Sequence, residues 1–580
     1  MKKTIIFFSL LFSTLLFIGS CGFDTVKDGE YRIKIYATND LHGRFFDSLF
    51  VAKDSTQTHP YSLGSIASAI KGIRQSEGEE NVILLDVGDH LQGDNMVFYY
   101  NFVDTLSSHI FSKVVNYLDY DAVVVGNHDI EAGHVVYDKL VGEMEMPYLA
   151  ANAVRVNDGK PYFKPYTIIE RHGLKIAVIG MTNPNIPNWL SKHLWEGMEF
   201  LPIEDNLKYW VDYVKKNESP NVVIAALHSG VGFLETPTIE NASRFVAKNI
   251  DGLDIVFAAH DHKVTREFIE NNGKKVLLLE GGSRGASLSA AYLDIVVRDG
   301  EVTSLVIDGE TLDMSDVSPD QDYSNHFREE FLTVKSFTNA VVGKLLNDIS
   351  TKDAYFGSSS FIDLIHSVQL EVSGADVSFA APLSFAISKN AGELKYQDLL
   401  DIYPYENQLY VISMSGNEIK NYLEYSYSKW VNKYPSPTGH MLQIKTDGTG
   451  ERGKFNNIYF NFDAAAGLVY EVDITKGNGK RVTILSMADG SAFDFDKRYS
   501  VALSSYRASG GGDMLLMGAG IDKHEVEERF LAKHADIRSL MYEKLTKEGS
   551  LEAKKLDNWK FVPEDLVNKL KEYDYKVLFN

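Results

Sequence analysis

The sequence predicts an α/β protein of two domains, and three observations carry that prediction. At 580 residues the chain exceeds what one hydrophobic core organises. From residue 31 to about 310 it repeats strand, loop and helix, and from 347 to 530 it does so again after a polar, turn-rich break. The strand-like runs are Val/Ile/Leu-rich and several are almost continuously apolar, as expected of strands covered on both faces.

The chain begins with a targeting pattern. Lys2 and Lys3 precede an apolar stretch, Thr4 to Ile18, and then Gly19-Ser20-Cys21. Residues 1–20 are expected to be a lipoprotein signal peptide, because Ile18-Gly19-Ser20-Cys21 resembles a bacterial lipobox. Cys21 is the single cysteine, so it has no internal disulfide partner, and lipidation gives it a use. A plain signal peptide with a chance cysteine is the alternative. The expectation is an exported bacterial lipoprotein, held by Cys21 on the periplasmic face of the outer membrane or at the cell surface. Net charge is −22, a surface that repels polymeric nucleic acid. A small anionic substrate stays possible where metal ions supply local positive charge. Nothing in the sequence sets the oligomeric state.

The first domain is placed at residues 30–310. Its predicted strands are Arg32–Ala37, Val82–Val87, Ala122–Val125, Leu174–Ile179, Val222–Leu227, Ile255–Ala258 and Lys275–Leu279, with helices such as Ser65–Gln75 and Leu106–Leu118 between them. Residues 311–346 are expected to be a linker with a helix from Asn325 to Leu346. The second domain, 347–530, has strands at Val377–Phe379, Leu409–Met414 and Arg498–Ser504. Residues 531–580 read as a charged, helical tail.

Polar, metal-competent residues follow five of the first-domain strands. They are Asn39-Asp40-Leu41-His42-Gly43, Gly88-Asp89, Gly126-Asn127-His128-Asp129, His228-Ser229-Gly230 and His260-Asp261-His262. Loops beyond the C-terminal ends of parallel strands converge on one crevice, so residues distant in sequence can meet. Each motif alone is weak, because a single Asp-x-His is common by chance. Five in order, each closing a strand, are a strong signal. His, Asp and amide ligands without thiolate suit Zn, Mn, Fe or Co. Two such ions about 3.5–4 Å apart can clamp the attacking and leaving oxygens of a phosphoryl displacement. His59, His109, His172, His193 and His440 lack a strand-end context and read as structural or surface residues, while His90 and His134 stand close to the site loops.

The order Asp-x-His, Gly-Asp, Gly-Asn-His, His-x-Gly, His-x-His resembles the calcineurin-like metallophosphoesterases. The chain over roughly residues 30–530 is similar to the secreted 5'-nucleotidase and cyclic-nucleotide phosphodiesterase superfamily. That resemblance implies a four-layer αββα metallophosphoesterase domain followed by a smaller α/β 5'-nucleotidase C-terminal, substrate-binding domain. It implies two divalent metal ions: Asp40, His42 and His262 holding the first, Asn127, His228 and His260 the second, and Asp89 bridging. His128 would be the catalytic histidine and Glu131 its acidic partner, with a metal-bound hydroxide as attacking species.

The resemblance also extends to the substrate. Tyr405 in Tyr403-Pro404-Tyr405-Glu406-Asn407 and Tyr506 before Ala508-Ser509-Gly510-Gly511-Gly512 match the aromatic pair that sandwiches a nucleobase. Asn407 is placed to bond the base edge. The alternative for both tyrosines is packing beside turns. Where 5'-nucleotidases carry a phosphate-gripping arginine, Asp376 to Phe385 has none, and Gly512 stands where they place a ribose-binding Asp. Together with Glu131, these departures favour the bifunctional 2',3'-cyclic-nucleotide 2'-phosphodiesterase/3'-nucleotidase branch. The alternatives are a 5'-nucleotidase or UDP-sugar hydrolase and, in another class, a noncatalytic nucleotide-binding lipoprotein.

Overall fold

The computed structural model describes residues 26–48, 58–405, 407–445 and 454–579, so the expected signal peptide and Cys21 lie outside the described residues. The first domain contains two six-stranded sheets. One is built from β1 (Gly29–Thr38), β2 (Val82–Asp86), β3 (Ala122–Val124) and β4 (Tyr148–Leu149) in parallel, extended by antiparallel strands Ser287–Arg298 and Glu301–Asp313. The other sets β5 (Leu174–Met181), β6 (Val222–Leu227), β7 (Ile255–Ala258) and β8 (Lys274–Gly281) in parallel, with antiparallel strands at both edges.

Strand alternation explains how the layers stack. Ile33, Ile35, Ile83 and Leu85 from one sheet share a buried core with Ile176, Val178, Ile224 and Phe257 from the other. The intervening residues point outward. Tyr36, Leu84 and Val123 pack beneath α1 (Leu63–Glu77) and α2 (Ile110–Tyr117). Ile179, Val223, Ala225 and Val256 pack beneath α3 (Ile203–Asn217) and α4 (Ser243–Asn249). The order is therefore helix, sheet, sheet, helix, and it places the C-terminal ends of β1, β2, β3, β6 and β7 on one rim.

The second domain has a five-stranded sheet with β9 (Val377–Ala380), β10 (Gln408–Ser415) and β11 (Arg498–Ser504) at its centre. One face packs against Phe361, Ile365 and Val368 of the helix Ser360–Ser373, and the other against Ile419, Leu423 and Tyr427 of the helix Gly416–Trp430.

Two segments differ from expectation. The expected linker helix is two helices, Gln321–His326 and Arg328–Asn339, and the chain has already entered strand Val341–Leu345 before 346. Residues 531–580 are not an appended tail. Phe530–Asp536 pairs with β10 as the sheet edge, Ser550–Leu551 joins Val341–Leu345, and Trp559–Val562 joins Leu468–Asp473, burying Trp559 and Phe561. These strands are short, and Lys533 and Asp536 interrupt the first, so their composition suggests a solvated helix while their pairing is long-range.

The domains touch directly. Tyr410 Oη donates to Ser191 Oγ (2.6 Å), Asn95 bonds Gln397, and the Arg538 guanidinium lies 4.3 Å above the Phe98 ring.

Candidate active site

The rim of the first domain gathers the five motifs into two adjoining groups. Asp40, His42 and His262 form one, and Asp89, His228 and His260 the other, with the ligand atoms of each group within 4.8 Å of one another. His42 Nε2 is 3.0 Å from His262 Nε2, which is 3.4 Å from Asp40 Oδ1. In the second group, Asn127 Oδ1 lies 3.1 Å from His228 Nε2 and 3.0 Å from His260 Nδ1. Asp89 Oδ2 is 3.2 Å from His228 Nε2, while its Oδ1 accepts the His128 backbone N–H (2.8 Å).

The backbone is bent to bring these atoms together. Asp40, His42, Asp89, His260 and His262 all have positive φ, between 48° and 83°, where non-glycine residues are rare and strain concentrates at functional sites. Gly126 lets the β2 and β3 loops touch, since a Cβ there would fall 2.2 Å from the Asp89 backbone N and from its Oδ1.

Supporting residues orient the ligands. The backbone carbonyl of Val87 lies 2.8 Å from His228 Nδ1, and that of Gln92 lies 3.1 Å from His42 Nδ1. Each carbonyl takes the Nδ1 proton and turns Nε2 toward its group. Asn39 donates to Asp40 Oδ2 (2.7 Å) and to the Gly282 carbonyl. Asp129 accepts four backbone N–H groups, from Asp89, His90, Leu91 and Gly126, and so ties the β2 loop to the β3 loop. The Trp189 indole stacks on His260 (5.4 Å between centroids, 26°).

Charge fits cation binding. Burial disfavours a charged His228, but Asp89 outweighs burial and lifts its pKa to about 10. Burial likewise opposes a charged His128, and Asp89 with Glu131 raises it to about 9. Burial drops His42 to about 3. Protons thus gather where buried carboxylates demand positive charge, and a divalent cation meets the same demand. Nitrogen and oxygen donors, no thiolate and two three-residue groups fit two divalent ions.

Beneath the His260–His262 turn lies a second carboxyl pair. Glu280 is fully buried, and its Oε2 and Asp261 Oδ1 have no donor. A proton held by Glu280 serves both. Burial, then Asp261, raises the Glu280 pKa to about 10.

His128 stands beside the second group, with Nδ1 2.5 Å from Glu131 Oε2. His128, Glu131, Asn127 and His260 line a cavity of about 990 Å³ whose far wall includes Tyr405, Asn407, Phe460 and Tyr506. The rings of Tyr405 and Tyr506 both meet Phe460 edge-on, at 6.2 and 6.5 Å. Asn407 Nδ2 reaches Tyr403 Oη only at 3.4 Å. Arg507 is the one guanidinium among the described lining residues, and it is engaged. It binds Asp463 through two bonds (2.8 and 2.7 Å), Asn461 Oδ1 (2.9 Å) and the Phe460 carbonyl (2.6 Å).

His90, His134 and His440 stand apart from the site. His90 is buried, stacked on Phe111 and 3.0 Å from Asp86. His134 contacts Asp138 and the Glu196 carbonyl, and His440 is paired with Asp574. His193, read from sequence as structural or surface, lines the cavity. Trp189 and Phe460 carried no sequence signal because they sit in single helical turns, Ile186–Trp189 and Tyr459–Asn461, outside any motif. Asp129 had one: three residues after Gly126, it occupies a helix-capping position.

Comparison with known proteins agrees with the fold. Residues 33–264 match the calcineurin-like phosphoesterase family and residues 338–517 the 5'-nucleotidase C-terminal domain. The chain is 25% identical to the trifunctional nucleotide phosphoesterase protein YfkN of Bacillus subtilis, with 86% of this chain covered but only 37% of that longer protein. It is 24% identical to a 2',3'-cyclic-nucleotide 2'-phosphodiesterase/3'-nucleotidase of Yersinia enterocolitica, over 84% of this chain and 82% of that one. In fold it is similar to the 5'-nucleotidase precursor of Thermus thermophilus (TM-score 0.60, 18% identity, 92% of this chain and 100% of that one). The chain belongs to the phosphoester hydrolases that join a calcineurin-like phosphoesterase domain to a 5'-nucleotidase C-terminal domain.

Proposed function

We propose that the protein hydrolyses small nucleotides, opening 2',3'-cyclic nucleotides and then removing the 3'-phosphate, while tethered outside the cytoplasm through lipid on Cys21. The observation that carries this reading is the engaged Arg507. The cavity joins the second metal-competent group to an aromatic wall, yet the one arginine among its described lining residues is held by Asp463 and Asn461. No described lining residue offers a guanidinium fork to a 5'-phosphate. The segment where 5'-nucleotidases carry one contributes Ala380 and Ala381 to the wall instead.

Each residue then has a task. Tyr405 and Tyr506 hold the base between their faces, with Phe460 closing the back, and Asn407 meets the base edge. Asp40, His42, Asp89, Asn127, His228, His260 and His262 hold two divalent ions (Zn, Mn, Fe or Co). When bound, these would supply Lewis acidity and bring the pKa of water down to about 7. Glu131 fixes the His128 ring through Nδ1, so that Nε2 faces the departing ribose oxygen and can give it a proton. The N-terminal pattern around Cys21 supports the tether, and no helix among the described residues is long and apolar enough to cross a membrane.

The test is a comparison of kcat/KM for 2',3'-cyclic AMP, 3'-AMP, 5'-AMP and a UDP-sugar with added Mn²⁺ or Zn²⁺. The cyclic and 3' substrates are expected to lead by at least about tenfold, which is 1.4 kcal/mol of transition-state preference. A lead for 5'-AMP or the UDP-sugar replaces this reading with a 5'-nucleotidase or UDP-sugar hydrolase.

A further inference from the structure

Among the described residues, two arginines beside the first metal-competent group have no side-chain partner. In an acidic chain, most cationic forks are engaged: Arg171 with Asp121, Arg244 with Glu267, Arg507 with Asp463 and Arg529 with Glu418. Arg44 and Arg284 make no ion pair and donate no side-chain hydrogen bond among the described residues, and the Arg44 Nε is buried with nothing to receive its proton.

Three loops bring them together. Arg44 follows His42 by two residues, and its carbonyl accepts the Leu63 N–H at the start of α1 (2.9 Å). The Arg284 N–H donates to the Asp40 carbonyl (2.8 Å). Gly285 packs so closely on Ser62 that a Cβ would fall 2.9 Å from the Ser62 carbonyl carbon. Both arginines are thus anchored to the loop that carries Asp40 and His42. Neither lines the nucleoside cavity, and neither do His42 and His262. The pair therefore stands on the flank of the Asp40–His42–His262 group, outside that cavity.

The local charge is only partly compensated: two arginines face one carboxylate, Asp94. Arg44 is part-buried, and Arg284 brings a second positive charge close to it. Burial also holds His59 down at about 4, with both arginines adding to the effect, so it is neutral at physiological pH and adds no charge. Asp94 attracts both arginines, but it caps the helix Asn95–Phe98 through the Met96 N–H (3.0 Å) and makes a direct ion pair with neither. Two like charges held together, one part-buried, is a costly arrangement that an anion relieves. Guanidinium donors match the oxygens of a phosphate.

We propose that Arg44 and Arg284 form a second anion subsite, for a phosphate dianion, free or as a monoester. It lies where phosphate released at the metal groups can be received without re-entering the nucleoside cavity. The subsite does not depend on which nucleotide is cleaved, so its failure and the failure of the functional reading are separable.

Binding is tested directly on metal-free full-length protein in chelator, at fixed ionic strength, by titrating inorganic phosphate and, separately, methyl phosphate while following Tm. Wild-type protein is expected to show a saturable rise. The Arg44→Gln/Arg284→Gln variant should bind about tenfold more weakly, as loss of charge-assisted forks predicts. Arg284→Gln alone, at an exposed position, should give an intermediate loss and guards against misfolding at Arg44. A stronger rise with inorganic phosphate identifies the free product as occupant, and an equal rise identifies a monoester. Equal affinity in wild type and both variants overturns the proposal.

Discussion

On the proposed mechanism Glu131 acts through His128, and that defines what its loss should do. Glu131→Gln keeps the size and removes the charge that orients and protonates the imidazole. We expect kcat to fall about 10- to 100-fold, within the range of general acid–base catalysis, with KM and metal content unchanged. A variant that loses its metals instead would place Glu131 in the metal shell. Glu280 makes a different prediction, about stability. Its folded pKa of about 10 exceeds its ordinary value of 4.5, so the folded state holds the proton more tightly. The resulting stabilisation is complete below pH 4.5 and is lost as pH rises toward 10. Metal-free wild type should therefore lose Tm between pH 5 and pH 9 more steeply than Glu280→Gln, whose amide stays neutral. Parallel melting curves in that window would contradict the shared proton. The residues legible in the sequence were those with a motif at a strand end, from Asp40 to His262. Trp189, Phe460 and Glu280 were not, because each acts through a neighbour that only folding supplies.

At the scale of elements, the site is a set of loops in contact, and Gly126 is where two of them meet. An alanine there puts a methyl group 2.2 Å from Asp89 backbone and carboxylate atoms, so the loops must part. Gly126→Ala should lose at least about a hundredfold in kcat together with bound metal, because a 1 Å misplacement can cost that much. Gly142, on the helix His134–Glu143 with nothing within 4 Å of its Cβ position, is the control. Gly142→Ala should leave activity intact and stabilise by about 0.5–1 kcal/mol. Equal behaviour of the two variants would contradict the contact. The apolar strands of the first domain were legible nearly residue by residue: Val222–Leu227 and Ile255–Ala258 form as their composition predicts. Phe530–Asp536 and Trp559–Val562 were not, because they are completed by partners at 408–412 and 470–473 rather than by their own pattern.

On the proposed function, the whole molecule combines a chemistry domain and a recognition domain around one cavity. The first supplies Asn127, His128 and His260, and the second supplies Tyr405, Phe460 and Tyr506. The sequence made each half legible separately, through strand-end motifs in one and aromatic–glycine segments in the other. Their meeting was not legible, since it depends on domain contacts such as Tyr410 with Ser191 and Arg538 with Phe98. Joining them is the central claim, and it predicts that base recognition and phosphate chemistry can be separated by one substitution. The direct measurement is kcat/KM of Tyr506→Ala for 3'-AMP and for glycerol 2-phosphate, a phosphate ester with no base. The account predicts a fall of about 5- to 150-fold for 3'-AMP, the value of about 1–3 kcal/mol of stacking, and no change for glycerol 2-phosphate. An equal fall for both substrates, or none for either, would contradict it.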